Sequence, residues 1–172
     1  DGSGAIVYAA DIGFAGLHLV ANAILTWDAS AASAASERTA LLTARMPEPT
    51  ADGWRWSCER LGAEGRWTRP HGAVIERVLL TDAAAGSGRD VRWSCIAPTS
   101  HARLALPGST IEGPGYVERL EITIEPWRLP LTTLRWGRAA SYARSVVWIQ
   151  WTGAPPLNQI RVDCVEHEAM SI

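Results

Sequence analysis

The segment GYVERLEITIEPWRLP, residues 115–130, decides the fold because it has the pattern of a β-strand followed by a proline. Alternate side chains of a strand share a face, so Tyr116, Glu118 and Leu120 lie on one side with two isoleucines further along. The other side is mostly charged or polar, which is typical of a half-buried strand. The segment therefore predicts a strand that carries a carboxyl group, that of Glu118, on its apolar face.

The proline at position 126 predicts where this strand ends. Pro126 has no backbone N–H and cannot donate a ladder hydrogen bond, so the strand should stop before it and the chain should turn. Two positions for Trp127 stay open. It covers the mouth of a barrel, or it packs outside under a neighbouring loop.

Segments of strand character recur along the whole chain, about every ten to twenty residues, with Gly and Pro between them. This spacing is typical of an antiparallel sandwich or barrel. Residues 5–27 fit either two strands that break near 13–16, which the glycines there favour, or a strand followed by a helix. Besides these and 116–124, the predicted strands are 39–46, 74–81, 91–96, 101–106, 134–138, 146–151 and 157–164. Turns are expected at 97–98 and 112–116.

The length and composition suit one domain. A chain of 172 residues, 47% of them hydrophobic and 20% charged, can build a sizeable core. Residues 28–37 and 82–90 are mostly small and polar and are predicted to be flexible loops. We therefore expect residues 1–172 to form a single domain that carries two such loops.

The charge of the chain bears on two classes of partner. A net charge of −2 gives no basis for binding nucleic acid or an anionic membrane surface. The apolar run from Ala5 to Leu25 is interrupted by Asp11, His18 and Asn22, so we expect no transmembrane segment there. The sequence assigns no cellular compartment.

The cysteines do not predict a metal site. Cys58, Cys95 and Cys164 are odd in number and lack CxxC spacing, which argues against a disulfide framework or zinc, although one pair could bridge. The polar residues from Cys164 to Glu168 are interpreted as a frayed tail. Phosphate-binding and nucleophile motifs are absent from the sequence, so no cofactor and no metal are expected.

One group of residues has the types needed for acid chemistry. By alternation Trp93 shares an inward face with Val91 and Cys95, and Glu118 faces inward beside Tyr116. Burial raises the pKa of a carboxyl group, which then acts as a general acid near neutral pH. The tyrosine would orient this acid, and the tryptophan would stabilise a developing carbocation. Nine tryptophans against one phenylalanine fit such a pocket, although packing explains most of them.

A structural alternative exists for the same carboxyl group. Glu118 would form an ion pair with Arg135 or Arg138 and hold the strands together. Residue types alone favour this ion pair over the acid, and both interpretations stay open.

Three segments resemble a known family. They are RWSCIAP at 92–98, GPGYVE at 113–118 and WGR at 136–138. Together they are similar to the core pattern of the carotenoid 1,2-hydratase (hydroxyneurosporene synthase) and AttH-like superfamily: His-x-Trp, Ile-Ala-Pro, Gly-x-Gly-Tyr-x-Asp and Trp-x-Arg. The similar part covers about residues 90–140. Val91 stands where the family has histidine, and Glu118 where it has aspartate.

The resemblance implies a fold. Members of this superfamily have lipocalin-like β-barrels, often two in tandem, and some are cyclases that act on polyketides and terpenoids. We therefore expect an all-β protein with an antiparallel lipocalin-like β-barrel. The hydratases use the histidine and the aspartate to protonate a double bond, and here only the carboxyl group is retained, which argues against water addition to a carotenoid.

The resemblance also implies a function. The expected protein binds an apolar isoprenoid or polyketide-like molecule and performs metal-independent hydratase, cyclase or isomerase chemistry with Glu118, Tyr116 and Trp93. We expect Trp136, Trp148 and Arg138 to contact the ligand. The alternative is a non-catalytic accessory subunit of a larger protein assembly, which Val91 and the short chain favour.

Overall fold

A computed structural model describes residues 2–14, 16–28, 35–42, 45–82 and 89–168. This part of the chain forms β-strands and two single-turn 3-10 helices, Glu59–Leu61 and Pro126–Arg128. The strands are β1 (Gly4–Phe14), β2 (Leu17–Trp27), β3 (Ser36–Leu41), β4 (Glu48–Thr50), β5 (Gly53–Cys58), β6 (Ala63–His71), β7 (Ile75–Thr81), β8 (Asp90–Leu106), β9 (Ser109–Ile122), β10 (Leu131–Ala140), β11 (Ser145–Gly153), β12 (Leu157–Val162) and β13 (Val165–Glu168).

The strands form antiparallel sheets. The first sheet has the order β1-β2-β3, the second has the order β10-β11-β12-β13, and the third has the order β4-β5-β6-β8-β7 with β9 paired to β8. The all-β class is thereby confirmed. None of the three sheets closes into a barrel within the described residues, so the lipocalin-like barrel stays a prediction. In the same part of the chain, no helix has the length and hydropathy to cross a bilayer.

The chain divides into two compact units. Unit 1 comprises Asp1–Arg69 and His101–Gly113, and unit 2 comprises Pro70–Ser100 and Pro114–Ile172. Each unit has a core of its own, and the prediction of one domain over residues 1–172 stays a prediction. The buried core side chains of unit 1 are Ile24, Ala40, Trp56, Cys58, Leu61, Ala63 and Leu104. Those of unit 2 are Ile75, Leu80, Val91, Trp93, Cys95, Ile124, Val147, Ile149 and Trp151.

The tetrapeptide RWSC occurs once in each core. In β5 it is residues 55–58, and in β8 it is residues 92–95. Because strand side chains alternate, the tryptophan and the cysteine of each copy are buried together while the arginine is exposed.

The break that was predicted near residues 13–16 is confirmed, since β1 ends at Phe14 and β2 begins at Leu17. The strand predicted at 39–46 is displaced, because β3 runs from Ser36 to Leu41. Its first residues belong to the predicted loop 28–37. The rest of that loop at 29–34, and most of the second loop at 83–88, lie outside the described residues.

Two predicted turns are wrong. Ala97 and Pro98 lie inside β8, and the Gly-Pro-Gly run at 113–115 lies inside β9. Pro98 lies beyond Cys95, where the pairing of β7 with β8 ends, so its missing N–H removes no hydrogen bond from that pair. The actual turn between β8 and β9 is at Pro107 and Gly108, where φ of 80° at the glycine suits a type II turn.

The predicted end of the 116–124 strand before Pro126 is confirmed. β9 stops at Ile122, and Pro126 begins a 3-10 helix in which the Trp127 side chain is exposed. The apolar face is only partly buried, however. Leu120 and Ile122 are exposed, so only the part of this strand face around Tyr116 and Glu118 is turned towards the interior.

The predicted frayed tail is also wrong for the described residues. Val165–Glu168 forms β13, which pairs with β12. The two residues between these strands, Asp163 and Cys164, have φ of 49° and 72°, as in the tight type I′ turns of β-hairpins.

Candidate functional site

Three strands of unit 2 each contribute two alternate side chains to one cluster. We call this group the Glu118 cluster. It consists of Trp93 and Cys95 from β8, Tyr116 and Glu118 from β9, and Trp136 and Arg138 from β10. The spacing of two residues within each pair puts both side chains on one face of the strand. Alternation therefore explains why these six side chains can converge.

The carboxyl group of Glu118 accepts two hydrogen bonds at the same oxygen. Trp93 donates its indole N–H to Oε2 at 3.2 Å, and Arg138 donates from Nη2 at 3.4 Å. Trp93 is fully buried, and the Glu118 side chain is 21% exposed. The carboxyl group is thus fixed from the interior and reaches solvent on one side.

Arg138 is held by more than its carboxylate partner. Its side chain is 3% exposed. It donates to the carbonyl oxygen of Pro98 at 3.0 Å and to Sγ of Cys95 at 2.9 Å. Its Cζ also lies 4.2 Å from the centre of the Tyr116 ring, which is a cation–π contact. The guanidinium of Arg138 therefore has several interaction partners besides the carboxyl group of Glu118.

Burial and charge act in opposite directions on Glu118. Burial raises its pKa above the ordinary 4.5, whereas Arg138 and the hydrogen bond from Trp93 lower it, and burial has the larger effect. The pKa of the Cys95 thiol is also raised by burial, which outweighs the lowering effect of Arg138. Both groups therefore bind a proton more tightly in the cluster than the same groups do in water.

Trp136 completes the aromatic side of the cluster. Its ring lies edge-on to Trp93, with 6.1 Å between ring centres and 75° between planes. The Trp136 side chain contributes to lowering the Glu118 pKa, but its buried Nε1 makes no hydrogen bond of ordinary geometry. The indole N–H therefore lies near the carboxyl group without a hydrogen bond to it. Nε of Arg138 is likewise buried and without an acceptor in the described part of the chain.

The structure brings together five of the six predicted site residues: Glu118, Tyr116, Trp93, Trp136 and Arg138. It places Trp148 elsewhere, on the face of β11 opposite to the buried Val147 and Ile149, with its exposed ring over Gly137.

Of the two arginines proposed as partners of Glu118, Arg138 makes the ion pair and Arg135 is exposed. Sequence reasoning did not predict the contacts of Arg138 with Cys95 and Pro98. Because alternation places Cys95 on the same face as Trp93, the sequence pattern could have indicated the contact between Arg138 and Cys95. It could not have indicated the contact with the Pro98 carbonyl, because a turn is predicted there.

The polar residues near the C-terminus belong to the sheet. Arg161, which is buried in β12, pairs with Glu166 of β13, and Cys164 contacts the carbonyl oxygen of Ala73 at 3.5 Å. Within the residues that the structure describes, no three His, Cys, Asp or Glu side chains are grouped as a metal site would require.

The chain was compared with models of protein families, with curated proteins and with solved structures, and none of the three comparisons found a match.

Proposed function

We propose that this protein binds an apolar small molecule of isoprenoid or polyketide type against the Glu118 cluster, and that Glu118 donates a proton to it. The observation that carries the proposal is a partly exposed carboxyl group among buried and partly buried aromatic side chains, with a pKa raised by burial. A lipocalin-like barrel around the ligand, as the resemblance to the hydratase superfamily implies, is part of the same proposal.

Each neighbour has a role in this chemistry. Trp93 and Arg138 hold one oxygen of Glu118, so the other oxygen is available to carry the proton. Transfer of that proton to a carbon–carbon double bond leaves a carbocation on the ligand and a carboxylate on Glu118. The face of Trp136, which is only partly buried, would stabilise the cation, and the fully buried Trp93 would position the acid. Return of a proton to the Glu118 carboxylate then completes the reaction. It gives an isomer directly, a cyclic product after ring closure, or an alcohol after water has added to the cation.

The presence of Arg138 does not prevent Glu118 from holding a proton. A guanidinium keeps its charge in proteins, and a buried one needs partners. Here the Pro98 carbonyl, Cys95 Sγ and the Tyr116 ring supply such partners in addition to the carboxyl group. Val91 is buried at the position of the family histidine and offers no second proton-transfer group, so water addition is the least supported outcome.

A second function is favoured by the ion pair itself. Arg138 and Glu118 join β9 and β10 in the manner expected of a purely structural contact. In that case the protein is a non-catalytic accessory subunit of a larger assembly, and the cluster only stabilises unit 2.

Native mass spectrometry of the purified protein distinguishes these functions. The first predicts a co-purifying small molecule that is removed by extraction with organic solvent and rebinds afterwards. Purification from several expression hosts is the control for an accidental lipid. A protein free of small molecules that purifies with a stable protein partner would instead support the accessory subunit.

A further inference from the structure

Two hydrogen-bond donors in the Glu118 cluster have no acceptor among the residues that the structure describes. They are Nε1 of Trp136 and Nε of Arg138, both fully buried at the atom and two residues apart on β10. Buried donors in folded proteins are nearly always paired, because an unpaired one loses its bond to water and gains nothing. An acceptor is therefore expected at this place.

The indole N–H of Trp136 lies near the Glu118 carboxyl group, but neither donor makes a hydrogen bond of ordinary geometry with the other groups of the cluster. Oε2 of Glu118 already accepts from Trp93 and from Nη2 of Arg138. The Pro98 carbonyl accepts from Nη1 of the same arginine. Trp136 and Arg138 thus present two N–H groups from one strand face beside a partly exposed carboxyl group.

From these two donors we infer that the ligand carries a neutral oxygen acceptor, a ketone-type carbonyl, which binds to Nε1 of Trp136 and Nε of Arg138. This inference rests on the proposed function and narrows its ligand from hydrocarbons to carbonyl-bearing apolar molecules. A carbonyl oxygen has two lone pairs and can accept both bonds.

The proposed ligand is apolar, so its oxygen acceptor is a neutral carbonyl rather than a carboxylate. A neutral oxygen also leaves the pairing of Arg138 with the Glu118 carboxyl group in place.

The test uses two probes that differ only in the oxygen, 2-decanone and decane, with affinities measured by displacement of a fluorescent hydrophobic dye. Trp136→Phe removes the indole N–H and keeps an aromatic ring. It should lower the affinity for 2-decanone about tenfold, as expected for one lost hydrogen bond, and the affinity for decane less than about twofold.

Trp151→Phe is the matched control. Trp151 lies in unit 2 like Trp136 and is more deeply buried, and it donates its N–H within the protein, to the Pro155 carbonyl at 2.7 Å. This variant should be less stable and should leave the ratio of the two affinities unchanged. Equal weakening of both probes by Trp136→Phe would overturn the carbonyl inference and leave ligand binding intact. Failure of both probes to bind wild type would overturn the inference together with the proposed function.

A measurement on wild type alone covers the case in which Trp136→Phe does not fold. The infrared C=O stretch of carbonyl-labelled ¹³C 2-decanone should fall on binding, because two donors lengthen the bond. A bound carbonyl with the frequency that it has in hexane would overturn the inference.

Discussion

The carboxyl group of Glu118 and the guanidinium of Arg138 meet at 3.4 Å, and the arginine is the more deeply buried partner. The arginine has further contacts with Cys95, Pro98 and Tyr116, whereas the glutamate has one side open to solvent. Because Arg138 has these other partners, it can position the carboxyl group of Glu118 without requiring that group to be charged. A proton donor needs this arrangement. A structural ion pair would need both charges permanently.

Replacing Glu118 by glutamine tests which description holds. The amide matches a protonated carboxyl group in shape and can still accept from Trp93 and Arg138. We expect the free energy of unfolding at pH 7 to change by less than about 1 kcal/mol, and any proton-transfer activity to be lost. Urea denaturation of both proteins measures the first quantity. A loss of about 3 kcal/mol would identify a permanent ion pair whose removal leaves a buried guanidinium unpaired.

Arg138 should be necessary for stability whatever the protonation of Glu118. Arg138→Met removes the contacts with the Pro98 carbonyl and Cys95 Sγ, and we expect unit 2 to lose about 3–5 kcal/mol. Arg135→Met is the control on the same strand, since Arg135 is exposed, and it should stay within about 0.5 kcal/mol of wild type. Similar effects of the two substitutions would contradict the contacts described for Arg138.

The two copies of RWSC provide a matched pair of tryptophans. Trp93 donates to Glu118, whereas the buried Nε1 of Trp56 has no acceptor in the described part of the chain. Substitution by phenylalanine removes the same atoms from both cores. Trp93→Phe should therefore cost about 1–2 kcal/mol more than Trp56→Phe, measured by chemical denaturation. Equal costs would mean that the Trp93 hydrogen bond contributes nothing to stability.

Gly137 should not tolerate a side chain. A Cβ at this position would lie 1.9 Å from the Trp148 ring, so the ring must move away and cross-strand packing is lost. We expect Gly137→Ala to destabilise by about 1–3 kcal/mol, as overpacking does, with a red shift of tryptophan fluorescence. Gly113→Ala is the control, because a Cβ there meets no atom within 4 Å. A Gly137→Ala variant as stable as Gly113→Ala would contradict the packing of Trp148.

The strands and the site were partly predictable because both depend on alternation within a strand. Two residues that are two positions apart in a strand share a face whichever strand lies beside them. Tyr116 and Glu118 are one such pair, and Trp136 and Arg138 are another. The turns were harder, since Gly113 and Pro98 adopt extended conformations that strands also use. The sequence does not show which Gly-Pro combination breaks a strand, as Pro107-Gly108 does.

Long-range pairing explains the remaining differences. The sequence does not show that the two RWSC segments belong to different cores, because pairing partners far apart in the chain decide that. Nor does it show that Leu120 and Ile122 are exposed. Their strand has the right alternation, but burial depends on what covers it.

The raised pKa of Glu118 fixes the sign of a pH effect. The folded state binds the proton more tightly than the unfolded state, so this group contributes stability below the ordinary pKa of 4.5 and loses it as the pH rises through the folded pKa. The free energy of unfolding of wild type, minus that of Glu118→Gln, should therefore fall as the pH rises above 4.5. A carboxylate stabilised by Arg138 would give the opposite slope.

The protonation of Glu118 itself tests the central claim most directly. In protein with ¹³C-labelled glutamate carboxyl groups, the Glu118 signal is assigned by its absence from the Glu118→Gln spectrum and is followed during a pH titration. The account predicts a midpoint clearly above 4.5, with Cys95 still a thiol throughout. A midpoint below 4.5 would show that Arg138 keeps the carboxylate charged, and the proton-donor function would then be abandoned.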